Sequence, residues 1–182
     1  ANWNTAYTNR ITSLTTTDTT NTLFSSLVSV IFSNSVLSIG ENTFRNCQNL
    51  LSLTIPESVT SIQTNAFQNC NNLSSLTLST RLTSIQDYAF QNCYILSSLT
   101  IPDSVTSIGN NVFYNCINLS SLTLSNTLKS IQDSAFYNCK KLSSLTIPIS
   151  VTSIVASAFY NCNILSSLTI PNSVTSIGTN AF

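Results

Sequence analysis

Residues 73–95 read LSSLTLSTRLTSIQDYAFQNCYI, and the same apolar frame returns at a fixed distance along most of the chain. The cysteines make the period visible: Cys47, Cys70, Cys93, Cys116, Cys139 and Cys162 are each 23 positions apart. Aligned on them, the units run over 27–49, 50–72, 73–95, 96–118, 119–141 and 142–164, with a truncated seventh over 165–182. In the quoted unit Leu73, Leu76, Leu78, Leu82, Ile85, Ala89, Phe90 and Cys93 are the apolar residues that recur in nearly every copy, so they are the inward positions. A constant period without insertions is the signature of a solenoid, in which each coil is covered by its neighbours.

Within one coil, Leu76-Thr77-Leu78 alternates apolar and hydroxyl residues, the two-residue period of a half-buried strand. The Val59-Thr60-Ser61-Ile62 segment and its copies place inward residues three apart behind a β-branched start, which fits a second short strand or an extended turn. Ala89-Phe90-Gln91-Asn92-Cys93 spaces its inward residues by three, and this predicts one helical or 3₁₀ turn per repeat. The expected fold class is therefore a mainly-β solenoid with parallel sheets and one short helical or 3₁₀ turn in each unit. Stacking would join like strands at a spacing of about 4.8 Å and set identical residues into ladders. The Asn before each cysteine (Asn46, Asn69, Asn92, Asn115, Asn138, Asn161) would form one such ladder, its amide serving backbone groups that a turn leaves unpaired.

A longer period overlies the first. Units starting at 50, 96 and 142 carry Pro56, Pro102 and Pro148 after the strand, whereas those at 73 and 119 carry Ser at that place, so the chain reads as duplicated 46-residue pairs. Pro171 in the last unit breaks the alternation. Residues 1–26 fit the frame poorly, with Ile11-Thr12-Ser13-Leu14 as a two-residue-shifted echo of Val59-Thr60-Ser61-Ile62. They read as a divergent N-terminal cap carrying the single tryptophan, Trp3, ahead of a solenoid over 27–182. The stop at Phe182, midway through a unit, leads to the expectation that further repeats, a cap or another molecule follows.

LSSLTIPDSVTSIGNNVFYNCIN, residues 96–118, resembles the 23-residue leucine-rich repeat of the BspA-like family. The resemblance covers 27–182 and rests on Leu-x-x-Leu-x-Ile-Pro, Val-Thr-Ser-Ile-Gly and Ala-Phe-x-x-Cys within one period. It implies a curved right-handed solenoid with a parallel sheet on its concave side. It also implies an extracellular or cell-surface place and a role in adhesion to host proteins or other cells.

Composition narrows the chemistry. Charged residues make up 7% of the chain, six basic and six acidic, so the surface owes its polarity to Ser, Thr and Asn. Arg10, Arg45, Arg81, Lys129, Lys140 and Lys141 are too scattered to neutralise a phosphate backbone, which sets nucleic acid aside as a partner. Histidine is absent, and with it the commonest general base and metal ligand. Without an adjacent base the serines have no route to nucleophilic catalysis, so no catalytic residue, no cofactor and no enzyme activity is expected. Glu57 and Asp103 stand at equivalent places two coils apart and read as a repeat echo, with no acid-base pair implied. No apolar run reaches the roughly 18 residues of a membrane span. The chain also lacks Met, which suggests a processed product, a fragment or part of something larger.

Four arrays remain as candidate sites. The cysteines lie along a line, so they cannot converge on a metal, and their parallel side chains favour buried free thiols over disulfides. The outward strand residues form two hydroxyl columns: Ser52, Ser75, Ser98, Ser121, Ser144 and Ser167 beside Thr54, Thr77, Thr100, Thr123, Thr146 and Thr169. Such a face is either an ordinary polar surface or a docking grid for a glycan, an extended protein or an ordered water lattice. Tyr114, Tyr137 and Tyr160 make an aromatic column that either stacks sugars or packs over the turn. Asn72-Leu73-Ser74 and Asn118-Leu119-Ser120 are N-glycosylation sequons, with Asn72 and Asn118 as acceptors at exposed turns. The functional expectation is a non-enzymatic surface protein that binds a protein or glycan on another surface. The alternative is a structural protein whose copies join end to end into an extracellular filament.

Overall fold

The computed structural model describes Arg10–Ile11 and residues 26–182. The expected cap over 1–26, Trp3 included, lies almost wholly outside the described residues. What is described of it, β1 (Arg10–Ile11), pairs in parallel with β2 (Ile31–Phe32) through Arg10↔Ile31 and Ile11↔Phe32. Ile11 thus lies beside Phe32, while Thr12-Ser13-Leu14, the rest of the expected echo, lie outside the described residues.

From there each coil contributes two strands. The short second strands are β3 (Ser38–Ile39), β5 (Ser61–Ile62), β7 (Ser84–Ile85), β9 (Ser107–Ile108), β11 (Ser130–Ile131), β13 (Ser153–Ile154) and β15 (Ser176–Ile177). The three-residue Ser-Leu-Thr strands between them are β4 (Ser52–Thr54), β6 (Ser75–Thr77), β8 (Ser98–Thr100), β10 (Ser121–Thr123), β12 (Ser144–Thr146) and β14 (Ser167–Thr169). From β3 onward every pairing is parallel and in register by 23 residues, Leu76 beside Leu53 and Ile85 beside Ile62, whereas Arg10 pairs with Ile31. Val-Thr-Ser-Ile thus resolves as a strand, its β-branched residues suiting a pleated, half-buried surface.

The inward positions form one continuous core. Leu50, Val59, Ile62, Phe67, Cys70 and their copies from Val36 to Cys162 are buried along the axis, whereas Ile177 and Phe182 of the last unit are half exposed. Phe44, Phe67, Phe90, Phe113, Phe136, Phe159 and Phe182 stack as one column with ring centroids 5.2–5.6 Å apart and planes within 10° of parallel. A coil's apolar layer gains its cover only from the coils on either side, which is why no unit is self-sufficient.

The expected helical or 3₁₀ turn is not formed: among the described residues there is no helix. The physical reason is an alternation of partners. In the unit 73–95, Ala89, Gln91 and Cys93 close tight turns onto Gln86, Tyr88 and Phe90, while Tyr88, Phe90 and Asn92 donate across to Asn110, Val112 and Tyr114 of the next coil. Tyr88 and Asn92 hold φ of 58° and 61°, the left-handed region, and this breaks any run of helical dihedrals. Asn occupies most of the equivalent places, because its short polar side chain tolerates that conformation best after glycine.

Candidate binding face

The Ser-Leu-Thr strands turn their Leu into the core and both hydroxyls outward, a pattern kept from β4 to β12. Ser52, Thr54, Ser75, Thr77, Ser98, Thr100, Ser121, Thr123, Ser144, Thr146, Ser167 and Thr169 are all exposed on one face. Among the described residues none of these hydroxyls is hydrogen-bonded within the protein. Other hydroxyl columns behave differently. Thr60, Thr83, Thr106, Thr152 and Thr175 each donate Oγ1 to a carbonyl of the preceding coil, at 2.9–3.4 Å. Ser74, Ser120 and Ser166 do the same at 3.0–3.5 Å. The face brings together the residues singled out from the sequence and leaves their donors and acceptors open.

The ladder under this face is not uniform. β4 pairs with β6, β8 with β10 and β12 with β14, but among the described residues no ladder joins β6 to β8 or β10 to β12. Both breaks fall where a Pro-type coil follows a Ser-type one; Pro171, whose coil follows another Pro-type coil, leaves the β12–β14 ladder intact. Where the order is reversed, the junction is closed: Ile55 and Ile101 donate to Thr77 O and Thr123 O at 2.9 Å. Carboxylates fasten the same junctions. Glu57 accepts from Thr80 N at 3.0 and 3.2 Å and from Thr80 Oγ1 at 2.6 Å, and Asp103 Oδ1 accepts from Asn126 N at 2.8 Å. The Thr80 hydrogen bonds, helped by nearby Arg81, lower the Glu57 pKa. Glu57 and Asp103 thus clamp one coil to the next, a role the sequence signals only by their recurrence 46 positions apart. At the third equivalent place stands Ile149, which is 85% exposed.

The result is two shallow clefts on the hydroxyl face, of about 330 and 340 Å³. Thr77, Thr80, Ser98, Thr100 and Pro102 line the first, and every position of its lining recurs 46 residues later in the second, with Asn126 in the place of Thr80.

The Asn column forms a side-chain ladder, with Asn69, Asn92, Asn115 and Asn138 donating Nδ2 to Oδ1 of the Asn one coil earlier at 2.7–3.0 Å. The amides thus serve each other, where the sequence suggested backbone partners. All six cysteines are free and buried, as expected, and Cys70, Cys93, Cys116, Cys139 and Cys162 direct Sγ at a Phe carbonyl 26 residues earlier. Burial pushes their thiols up, to about 12 at Cys47 and Cys116 and about 11 at Cys162. Tyr114, Tyr137 and Tyr160 do stack, at 4.7 and 5.1 Å, so that Tyr137 has both ring faces covered by its neighbours. One coil earlier in the same column, Gln68 donates to Gln91. Asn72 and Asn118 sit at coil-joining turns, where their Nδ2 atoms donate to Gln48 O at 2.8 Å and Tyr94 O at 2.7 Å. Among the described residues no group of three or more metal-ligating side chains converges, and no helix is long and apolar enough to cross a membrane.

Parallel coils of 23 residues with a leucine-lined strand define a leucine-rich-repeat solenoid. The sequence pattern of the BspA type leucine-rich repeat region matches in six copies over residues 16–116 and 83–182, and the chain belongs to that family. Solved structures agree. A leucine-rich repeat protein of T. pallidum is 30% identical with a TM-score of 0.80, the match covering 83% of this chain and 73% of that one. One from Bacteroides ovatus is 27% identical with a TM-score of 0.62 over 79% of this chain and 43% of that one. The pneumococcal vaccine antigen PcpA shares the fold at 23% identity and a TM-score of 0.60, covering 85% of this chain and 43% of that one. No curated protein shows a significant sequence match.

Proposed function

We propose that this chain is a non-enzymatic binding module, displayed outside the cell, which recognises a partner on another surface through its hydroxyl face. The observation that carries this reading is the contrast between hydroxyl columns. Those that brace the coils are already bonded to carbonyls, while the columns from Ser52 to Thr169 are exposed and unbonded. An open hydroxyl gives a ligand both a donor and two acceptor lone pairs, without the desolvation cost of a charge. The free face recurs at each coil on a rigid frame, so weak contacts add up along the axis. The family resemblance supports surface placement, and protease shaving of intact cells tests it: the chain should be released while the cells remain unbroken.

The test of the face is an array of matrix proteins and glycans probed with the chain and with a Thr100→Lys/Thr123→Lys variant. Loss of binding in the variant is expected. Retention of every interaction removes the hydroxyl face from the function.

A further inference from the structure

Resting on the binding role proposed above, the geometry points to a more definite ligand: the two seam clefts take an unbranched, uncharged β-linked hexose polymer lying along the solenoid axis.

The floor of each cleft is leucine, Leu78 and Leu99 in the first, and its rim is hydroxyl and proline, joined in the second by the Asn126 amide, with no ionisable side chain in either lining. That combination suits a pyranose, which presents C–H patches on its faces and hydroxyls around its edge. A charged polymer would find no counter-charge there. An extended peptide would need open backbone N–H and C=O groups along its length, and the strands run across the axis, so the face offers it no sheet edge to follow.

The clefts have position-by-position equivalent linings 46 residues apart, which is two coils, or about 10 Å at the spacing of hydrogen-bonded strands. Whatever fits one must present the same chemistry again two coils on. An extended β-linked hexose chain does so, because it advances about one coil per sugar and turns over at each linkage, so every second ring shows the same edge. The volumes, about 330 and 340 Å³, lie at the lower end of the range for small-ligand clefts, about 300–1,000 Å³. The two breaks in the ladder, β6 to β8 and β10 to β12, are thus one disaccharide apart.

Titration of the whole chain with cello-oligosaccharides from two to six sugars tests this. Affinity should rise by about tenfold or more once the oligosaccharide is long enough to bridge both clefts. Thr77→Trp, which fills the first cleft, and Thr123→Trp, which fills the second, should each abolish that length-dependent rise. Thr54→Trp, on the same column but outside both clefts, should keep it. Absence of binding by every oligosaccharide overturns the inference, as does equal loss in Thr54→Trp and Thr77→Trp. If oligosaccharides fail while an array ligand is still lost in Thr100→Lys/Thr123→Lys, the sugar reading falls and the binding face stands. If nothing on the array responds to that variant either, both fall.

Discussion

At the scale of single residues, identical side chains one coil apart face identical surroundings, so each ladder has one physical cause repeated. The cysteines show it most simply. Six thiols with ordinary values near 9.0 are held protonated by burial, with Cys47 and Cys116 pushed up to about 12. A thiol whose folded pKa lies above its unfolded one contributes stability that is complete below the unfolded value and is lost as pH rises towards the folded one. Thermal melts should therefore fall steeply between pH 9 and 12, and a Cys93→Ala/Cys116→Ala variant should show a shallower alkaline decline over that window. Asn92 is under a double constraint, a φ of 61° and two ladder bonds, one given and one received. Asn92→Ala should cost about 2–3 kcal/mol, from the left-handed backbone and the lost bonds together, read as a shift of the urea midpoint. Tyr88, at φ 58° where neighbouring coils place Asn, is the reverse case, and Tyr88→Asn should raise that midpoint.

At the scale of the coil, what the sequence reveals depends on whether one side chain or a partnership decides the structure. The inward positions are legible because burial selects each residue type by itself: Leu53, Ile62, Phe67 and Cys70 lie where their spacing puts them. The three-residue spacing of Ala89, Phe90 and Cys93 is equally real, but it also fits a helix. Only the alternate donation to the next coil, through Tyr88, Phe90 and Asn92, decides against one. The recurrent Asn four residues apart, Asn65 and Asn69 or Asn111 and Asn115, was the available signal of paired left-handed residues. The seams were legible as Pro56, Pro102 and Pro148, but their effect on the ladder depends on the coil that precedes each one. Glu57 was visible only as an echo, because its partner Thr80 lies one coil away. Its lowered pKa gives stability that is present above the unfolded carboxylate pKa and is lost as pH falls through the folded one. The acid limb of the melting curve should accordingly be less steep in Glu57→Gln than in the parent chain.

At the scale of the whole molecule, stability in a solenoid is close to a sum of coil and junction contributions, so whole units can be removed without loss of the fold. Deleting residues 96–141, one Pro/Ser pair, brings the Ser-type coil 73–95 against the Pro-type coil 142–164 and preserves one seam. That shorter chain should melt cooperatively at a lower temperature. In oligosaccharide titrations it should keep single-cleft affinity and lose the gain from bridging.

The claim beneath all of these is that the hydroxyl face is a stack of coils in exact 23-residue register. Nitroxide labels placed by Thr54→Cys and Thr146→Cys, four coils apart on that face, measure it directly, since the native thiols are buried and protonated. Dipolar spectroscopy should give one narrow distance near 19 Å, four strand spacings of about 4.8 Å. A broad distribution, or a mean beyond about twice that spacing sum, would contradict the stacked face and everything assigned to it.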